Sequence, residues 1–133
     1  MSNKEIEKGL ELRIQFDMTT GLVPAIAHDY KTGKILMLGY ANQAALDETI
    51  NSGYATFWSR SRNELWKKGE TSGNLLRIRE VLVDCDQDAL IYKVEREKGG
   101  ACHTTDRDGQ ARESCFYRRI TPGSRLEFLE GMQ

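Results

Sequence analysis

The chain has 133 residues, the length of one ordinary domain, of which 39% are hydrophobic and 29% charged. A net charge of −1 argues against electrostatic binding to nucleic acid or anionic membranes, and no apolar run reaches the roughly 18 residues that span a bilayer. Residues 1–11 lack the apolar stretch of a signal peptide. We therefore expect a cytoplasmic protein whose three cysteines stay reduced and serve metal binding or catalysis.

The predicted elements begin with a hairpin and a helix. The runs LVPAIA and KILMLGY, at 22–27 and 34–40, are separated by turn residues and predict two paired strands. Asn42 and Gly53 are typical N-cap and C-cap residues, and the apolar pattern between them predicts a helix.

The rest of the chain is rich in strand-forming residues. Strands are predicted at 54–59, 75–83, 89–95 and 114–120, separated by a polar stretch with one short strand at 60–74 and by a loop at 98–113. The sequence thus predicts one compact α+β domain over 1–133, predominantly β, with hairpins and one or two short helices. Residues 1–15 are expected to be a weakly ordered lead-in, and residues 121–133 a C-terminal tail.

The segment Asp84-Cys85-Asp86-Gln87-Asp88 is the most informative local motif. In an extended chain alternate side chains share a face, so the three carboxylates would face one way and Cys85 the other. Carboxylates crowded together suit a hard cation such as Mg²⁺, whereas a thiolate suits Zn²⁺. The alternative is a polar hairpin tip with solvated aspartates.

The same segment partly matches a calcium-binding EF-hand loop. Its three aspartates and Glu95 occupy positions 1, 3, 5 and 12 of that pattern. However, position 6 is Ala89 instead of glycine, the run at 90–94 is strand-like, and no helical pattern flanks the loop. These departures exclude an EF-hand.

The spacing of the cysteines fits a catalytic metal site better than it fits a zinc finger. Cys102 and Cys115 lie 17 and 30 positions after Cys85, and no CxxC pair occurs. Three thiolates would leave the fourth tetrahedral position of zinc open to water. His103 is a candidate proton shuttle or fourth ligand. Taken singly, each cysteine could equally be a small buried apolar residue, and His103 a structural one.

Four blocks of the sequence together resemble one known family. They are LVPAIAHDYKTGKILMLGYAN at 22–42, GYATFWSRSRNELWKKGETSGN at 53–74, VDCDQDAL at 83–90 and GGACHTTDRDGQARESCFYR at 99–118. In this order they are similar to the signature blocks of phosphoribosyl-AMP cyclohydrolase. The likeness extends over roughly residues 16–120.

The resemblance implies two metals and a dimer. Zinc would be held by Cys85, Cys102 and Cys115, and magnesium by Asp84, Asp86 and Asp88. Members of the family are homodimers whose zinc ligands come from both subunits. Cys85 of one chain would therefore meet Cys102 and Cys115 of the other.

The implied reaction is hydrolytic opening of the adenine ring of phosphoribosyl-AMP, between N1 and C6, in histidine biosynthesis. Zinc can lower the pKa of bound water to about 7, and His103 is the preferred general acid or base. The substrate carries two phosphates and a purine, for which the candidate binding residues are Arg60, Arg62, Trp66, Lys68 and Ser72. The alternative for each of these is a solvated charge or a packed aromatic ring.

The chain departs from the family pattern at two places. The interval from Thr105 to Glu113 is longer than usual, which affects the expected loop geometry, and Asn74 stands where many members have a histidine. Asn74 cannot shuttle a proton, so no acid–base role is expected there.

Other functions remain alternatives at this stage. The main one is a non-catalytic, zinc-stabilised dimeric ligand-binding module. Net charge and the lack of a basic stripe disfavour a nucleic-acid binder. Because the sequence stops at Gln133, we expect no pyrophosphohydrolase domain such as the related bifunctional proteins carry.

Overall fold

The structure is a computed structural model that describes residues 3–133. Two helices and eight strands follow one another along the chain. They are α1 (Asn3–Lys8), β1 (Val23–Asp29), β2 (Ile35–Ala41), α2 (Gln43–Ser52), β3 (Thr56–Ser59), β4 (Glu64–Lys67), β5 (Leu76–Val83), β6 (Leu90–Arg96), β7 (Arg118–Thr121) and β8 (Arg125–Phe128). The fold is therefore α+β and mainly β, as predicted. Neither helix in the described part of the chain is long or apolar enough to cross a membrane.

The main sheet joins two antiparallel hairpins through a parallel pair of strands. Its order is β2-β1-β6-β5, with β1 and β6 parallel at the centre. Alternate residues of β1 and β6 are buried, which gives each strand one core face. The first hairpin was predicted from sequence and is confirmed. Because β6 runs along the sheet, the β5–β6 connection and the chain leaving β6 lie at opposite ends of it.

The predicted helix between Asn42 and Gly53 is also confirmed, as α2. The Asn42 side chain accepts a hydrogen bond from the Ala45 N–H at 2.9 Å. At the other end Gly53 has a φ of +79° and donates its N–H to the Thr49 carbonyl. Leu46 on this helix is buried in the core.

An aromatic cluster connects the core to the small β3–β4 sheet. The Phe57 ring lies 5.6 Å from that of Trp66 and 5.4 Å from that of Tyr92, measured between centroids. Gly39 of β2 is required beneath it, because a side chain at this position would collide with the Phe57 ring. The cluster fixes β4, and with it the loop that carries the cationic residues described below.

The last third of the chain differs from the predicted elements. Residues 114–117 are not part of a strand, because Ser114 Oγ donates to the Ile35 carbonyl at 2.7 Å and the Cys115 N–H to the Leu36 carbonyl at 2.7 Å. The strand begins only at Arg118. The expected tail, at 121–133, includes β8, which pairs with β7. At the other end of the chain, the expected lead-in at 1–15 includes α1.

Candidate active site

The three aspartates of the acidic motif converge at the tip of the β5–β6 hairpin. Their ligand oxygens all lie within 4.8 Å of one another, and all three residues are exposed. Asp84 Oδ1 also accepts the N–H of Asp88 at 2.9 Å, which shapes the turn. Hydrogen bonding with Asp86 and Asp84 raises the pKa of Asp88 to about 6. Carboxylates that crowd one another in this way are a fitting donor set for a hard divalent cation.

Two of the three cysteines meet at the other end of the sheet. Cys102 is buried, follows β6, and donates its N–H to the Arg112 carbonyl at 3.0 Å. Cys115 is held against the first residues of β2 through Leu36. The two thiols are near neighbours, since each one shifts the pKa of the other.

The two thiols titrate differently although they are neighbours. Burial raises the pKa of Cys102, but two hydrogen bonds with Thr104, together with Cys115 and Lys68, outweigh burial and lower it. Cys115 keeps part of its surface exposed, yet loss of solvent around its thiol and the adjacent Cys102 raise its pKa to about 11. Two neighbouring thiols, of which one opposes the ionisation of the other, fit a bound zinc ion, which would allow both to ionise.

Cys85 does not join this pair within one chain. It is exposed in the β5–β6 connection, before β6 begins, whereas Cys102 follows the end of β6. The seven residues of β6 span about 20 Å. Among residues 3–133, no group of three potential metal ligands includes a cysteine. The structure therefore brings together two of the three predicted zinc ligands.

A cavity of about 260 Å³ is lined by most of the other predicted residues, and one of them, Lys68, neighbours the thiol pair. Burial lowers the pKa of Lys68, while the neighbouring Cys115 and Cys102 oppose that shift, so the ammonium group is near both thiols. Lys68 Nζ also lies 5.7 Å from the centroid of the Trp66 ring. The predicted residues that line this cavity are Arg62, Trp66, Lys68, Ser72 and His103.

Arg60 belongs to a second cavity on the other side of Trp66. This cavity has a volume of about 550 Å³ and is also lined by Tyr40, Trp58 and two serines. The Arg60 guanidinium carbon lies 4.1 Å from the centroid of the Tyr40 ring. The five predicted substrate residues are thus divided between two cavities that share Trp66 as a wall.

The long interval between Cys102 and Cys115 forms a small hairpin of its own. Thr105 bridges to Ala111, and Asp106 Oδ1 accepts two backbone N–H groups at the turn. The extra residues therefore extend away from the thiols without separating them. Asn74, the other departure, accepts the Gly99 N–H at 3.0 Å and so links two loops near the site.

Two residues near the site were not identified from sequence. Thr104 contacts the Cys102 sulphur through both its hydroxyl and its N–H. The sequence feature that could have identified it is its position two residues after a candidate zinc ligand. Gln87, between two of the aspartates, is buried and bonded to the N-terminal segment. Nothing in a glutamine within a polar run predicts that burial.

The cavity is lined by His103 and by three cationic side chains against two carboxylates, and its Lys68 neighbours a thiol pair, an arrangement that suits an enzyme binding an anionic group. The family model of phosphoribosyl-AMP cyclohydrolase matches residues 37–117. A phosphoribosyl-AMP cyclohydrolase of Desulforapulum autotrophicum is 48% identical over 90% of this chain and 90% of its own length. One of Archaeoglobus fulgidus is 53% identical over 82% of this chain and 94% of its length.

A longer relative matches equally well over part of its length. The histidine biosynthesis bifunctional protein of Aquifex aeolicus is 51% identical over 87% of this chain, which corresponds to 53% of that protein. The chain belongs to the phosphoribosyl-AMP cyclohydrolase family. The family predicted from the four sequence blocks is confirmed, and with it the prediction of a hydrolase.

Proposed function

We propose that this protein opens the adenine ring of phosphoribosyl-AMP by hydrolysis of the N1–C6 bond, as a zinc- and magnesium-dependent homodimer in the cytoplasm. The observation that carries the proposal is the proximity of Cys102 and Cys115 to each other and to Lys68, which lines the same cavity as His103. A metal held by the two thiolates would lie beside the space available to the substrate.

The position of Cys85 supports a zinc site shared between subunits. Cys102 and Cys115 supply two thiolates, and a catalytic zinc site needs a third protein ligand while keeping one position open. Cys85 is exposed at the far end of β6, where a second chain can reach it. A symmetric dimer that places Cys85 of each chain at the thiol pair of the other would complete two identical sites.

The residues around the thiol pair can carry out the proton transfers of this reaction. Zinc bound there would supply activated water at neutral pH. As the bond from water oxygen to C6 forms, His103 accepts a proton, and it returns that proton as the N1–C6 bond breaks. The oxygen from water becomes the carbonyl of a carboxamide once its second proton has passed to solvent, and N1, which carries the proton returned by His103, remains in a formamidine. Lys68 is buried beside the thiols and offsets their negative charge.

The two cavities suit a substrate with two phosphates. Arg62 and Ser72 offer donors in the cavity next to His103, and Arg60 offers them in the cavity beyond Trp66. The Trp66 side chain forms a wall of both and presents a ring on which the purine can stack. We propose that the phosphates bind on opposite sides of this residue.

We expect magnesium binding at the acidic tip to strengthen as the pH rises. Because the pKa of Asp88 is raised, the metal-free tip holds a proton up to about pH 6. As the pH rises from about 4 to 6 this proton is lost, and repulsion between the carboxylates lowers the stability of the folded protein. Magnesium should relieve this repulsion and raise the melting temperature more at pH 7 than at pH 5. Combined Asp84→Asn and Asp86→Asn should abolish this shift while zinc stays bound, since Asn at 84 keeps the oxygen that shapes the turn.

The comparison is made by thermal melts with and without Mg²⁺ at both pH values, with zinc content measured in parallel. Asp108→Asn, on the exposed loop between Cys102 and Cys115, is the matched control. A double variant that is still stabilised by magnesium to the same extent would reduce the three aspartates to a solvated turn.

Hydrolysis in ¹⁸O-labelled water tests the proposed function and the bond that is cleaved. The protein with zinc and magnesium should convert phosphoribosyl-AMP to a ring-opened product that is labelled at the carboxamide oxygen. His103→Ala should lower kcat by about 10²–10⁴-fold, the usual contribution of a general acid–base group. Mass spectrometry locates the label. Binding of substrate without turnover would favour the ligand-binding module, and label at another position would refute the N1–C6 assignment.

A further inference from the structure

Gln87 connects the acidic tip to the N-terminal segment of the chain. Its side chain is 5% exposed although it lies between two exposed aspartates. Its backbone adopts a φ of +58°, in the left-handed region that residues other than glycine rarely occupy. A buried polar side chain on a strained backbone indicates that specific partners hold it in place.

The Gln87 N–H donates to the Asp84 carbonyl within the turn, whereas the partners of its side chain and its carbonyl belong to residues 6–15, which we call the N-terminal arm. Gln87 Oε1 accepts the Arg13 N–H at 2.7 Å, and the Gln87 carbonyl accepts the Gln15 N–H at 2.7 Å. Gln87 Nε2 donates to the carbonyls of Ile6 and Glu11, at 3.1 and 3.2 Å. One residue thus satisfies four backbone groups of a segment that is largely without regular structure.

The arm passes along both sides of the tip as a result. On one side Ile6 and Leu12 line a cavity of about 390 Å³ together with Asp84 and Cys85. On the other side Ile6 and Gln15 line a cavity of about 180 Å³ with Asp86 and Asp88. Every candidate metal ligand of the tip therefore borders a cavity that the arm helps to form.

We propose that Gln87 is a positioning residue that fixes the N-terminal arm across the tip and thereby holds Asp84, Cys85, Asp86 and Asp88 in the arrangement that binds metal. This inference rests on the proposed function, because it takes the tip as the source of zinc and magnesium ligands. Gln87 contacts neither metal nor substrate in this scheme and acts through its neighbours.

The test compares Gln87→Asn with Lys8→Ala. Asparagine keeps an amide and tolerates the left-handed backbone, but it is one methylene too short to reach the arm. Lys8 belongs to the arm but is exposed and lines neither cavity, so removal of its side chain leaves the contacts of Gln87 in place. In Gln87→Asn, exchange of the Arg13 amide should accelerate about tenfold, as for loss of one hydrogen bond.

Metal affinity is the measurement that a purely structural role would not move. Competition with a chromophoric chelator should show that Gln87→Asn holds zinc about tenfold more weakly, as for loss of other residues that support metal ligands, and that zinc affinity is unchanged in Lys8→Ala. Unchanged exchange at Arg13 would overturn the proposal. Wild-type zinc affinity in Gln87→Asn would also overturn it, provided that Cys85→Ser loses zinc in the same assay. If Cys85→Ser also keeps zinc, the proposal of a shared zinc site is wrong, and the test moves to magnesium. Equal Mg²⁺ affinity of Gln87→Asn and the wild type, measured by calorimetry, would then overturn the proposal.

Discussion

Replacement of any one of Cys85, Cys102 and Cys115 by serine should remove zinc and abolish hydrolysis of phosphoribosyl-AMP. Serine does not supply a thiolate, and two remaining sulphur ligands cannot hold the metal in a site that needs three protein ligands. Loss of a residue that hydrogen-bonds to a metal ligand lowers metal affinity by about 10–100-fold. Loss of a direct ligand should therefore lower the affinity by more than that.

The measurement is zinc content per subunit after dialysis, paired with the hydrolysis assay. Thr104→Val is the matched comparison, because it removes a hydroxyl 2.9 Å from the Cys102 sulphur and leaves all three thiols. Its zinc affinity should fall by about tenfold, and no further. Circular dichroism controls for folding. Three serine variants that retain zinc and normal turnover would show that the assignment is wrong.

Mixing two inactive variants should restore activity if the zinc site is shared between subunits. Cys85→Ser and Cys102→Ser chains each damage both sites of their own homodimer. A mixed dimer contains one site that lacks both ligands and one intact site. Random pairing makes half of the dimers mixed, and half of their sites are intact, so about a quarter of wild-type activity should return.

The result distinguishes the two ways of building the site. If each chain formed its own site, every site in the mixture would lack one ligand and no activity would return. Co-refolding with distinct affinity tags shows that mixed dimers are present, and a Cys102→Ser plus Cys115→Ser mixture is the matched control. That control should stay inactive, because both ligands are proposed to come from the same chain. Absence of recovery in the first mixture, with mixed dimers present, would rule out the shared site.

Much of this protein is determined by local sequence. The hairpin of β1 and β2 follows from strand-forming runs separated by turn residues, and α2 follows from its capping residues Asn42 and Gly53. The family follows from four blocks whose order and spacing are specific. The convergence of the three aspartates is also local, because five consecutive residues at a hairpin tip stay close in any fold.

Only the tertiary structure decided which distant residues meet. Strand composition does not determine that β1 and β6 pair in parallel at the centre of the main sheet, which sets the order of its four strands. Contact of Cys102 with Cys115 depends on hydrogen bonds to the carbonyls of β2, which replaced the strand predicted over residues 114–120. Burial of Gln87 likewise depends on a segment more than 70 residues away in sequence. Such contacts arise from packing between elements, and hydropathy along one segment does not encode them.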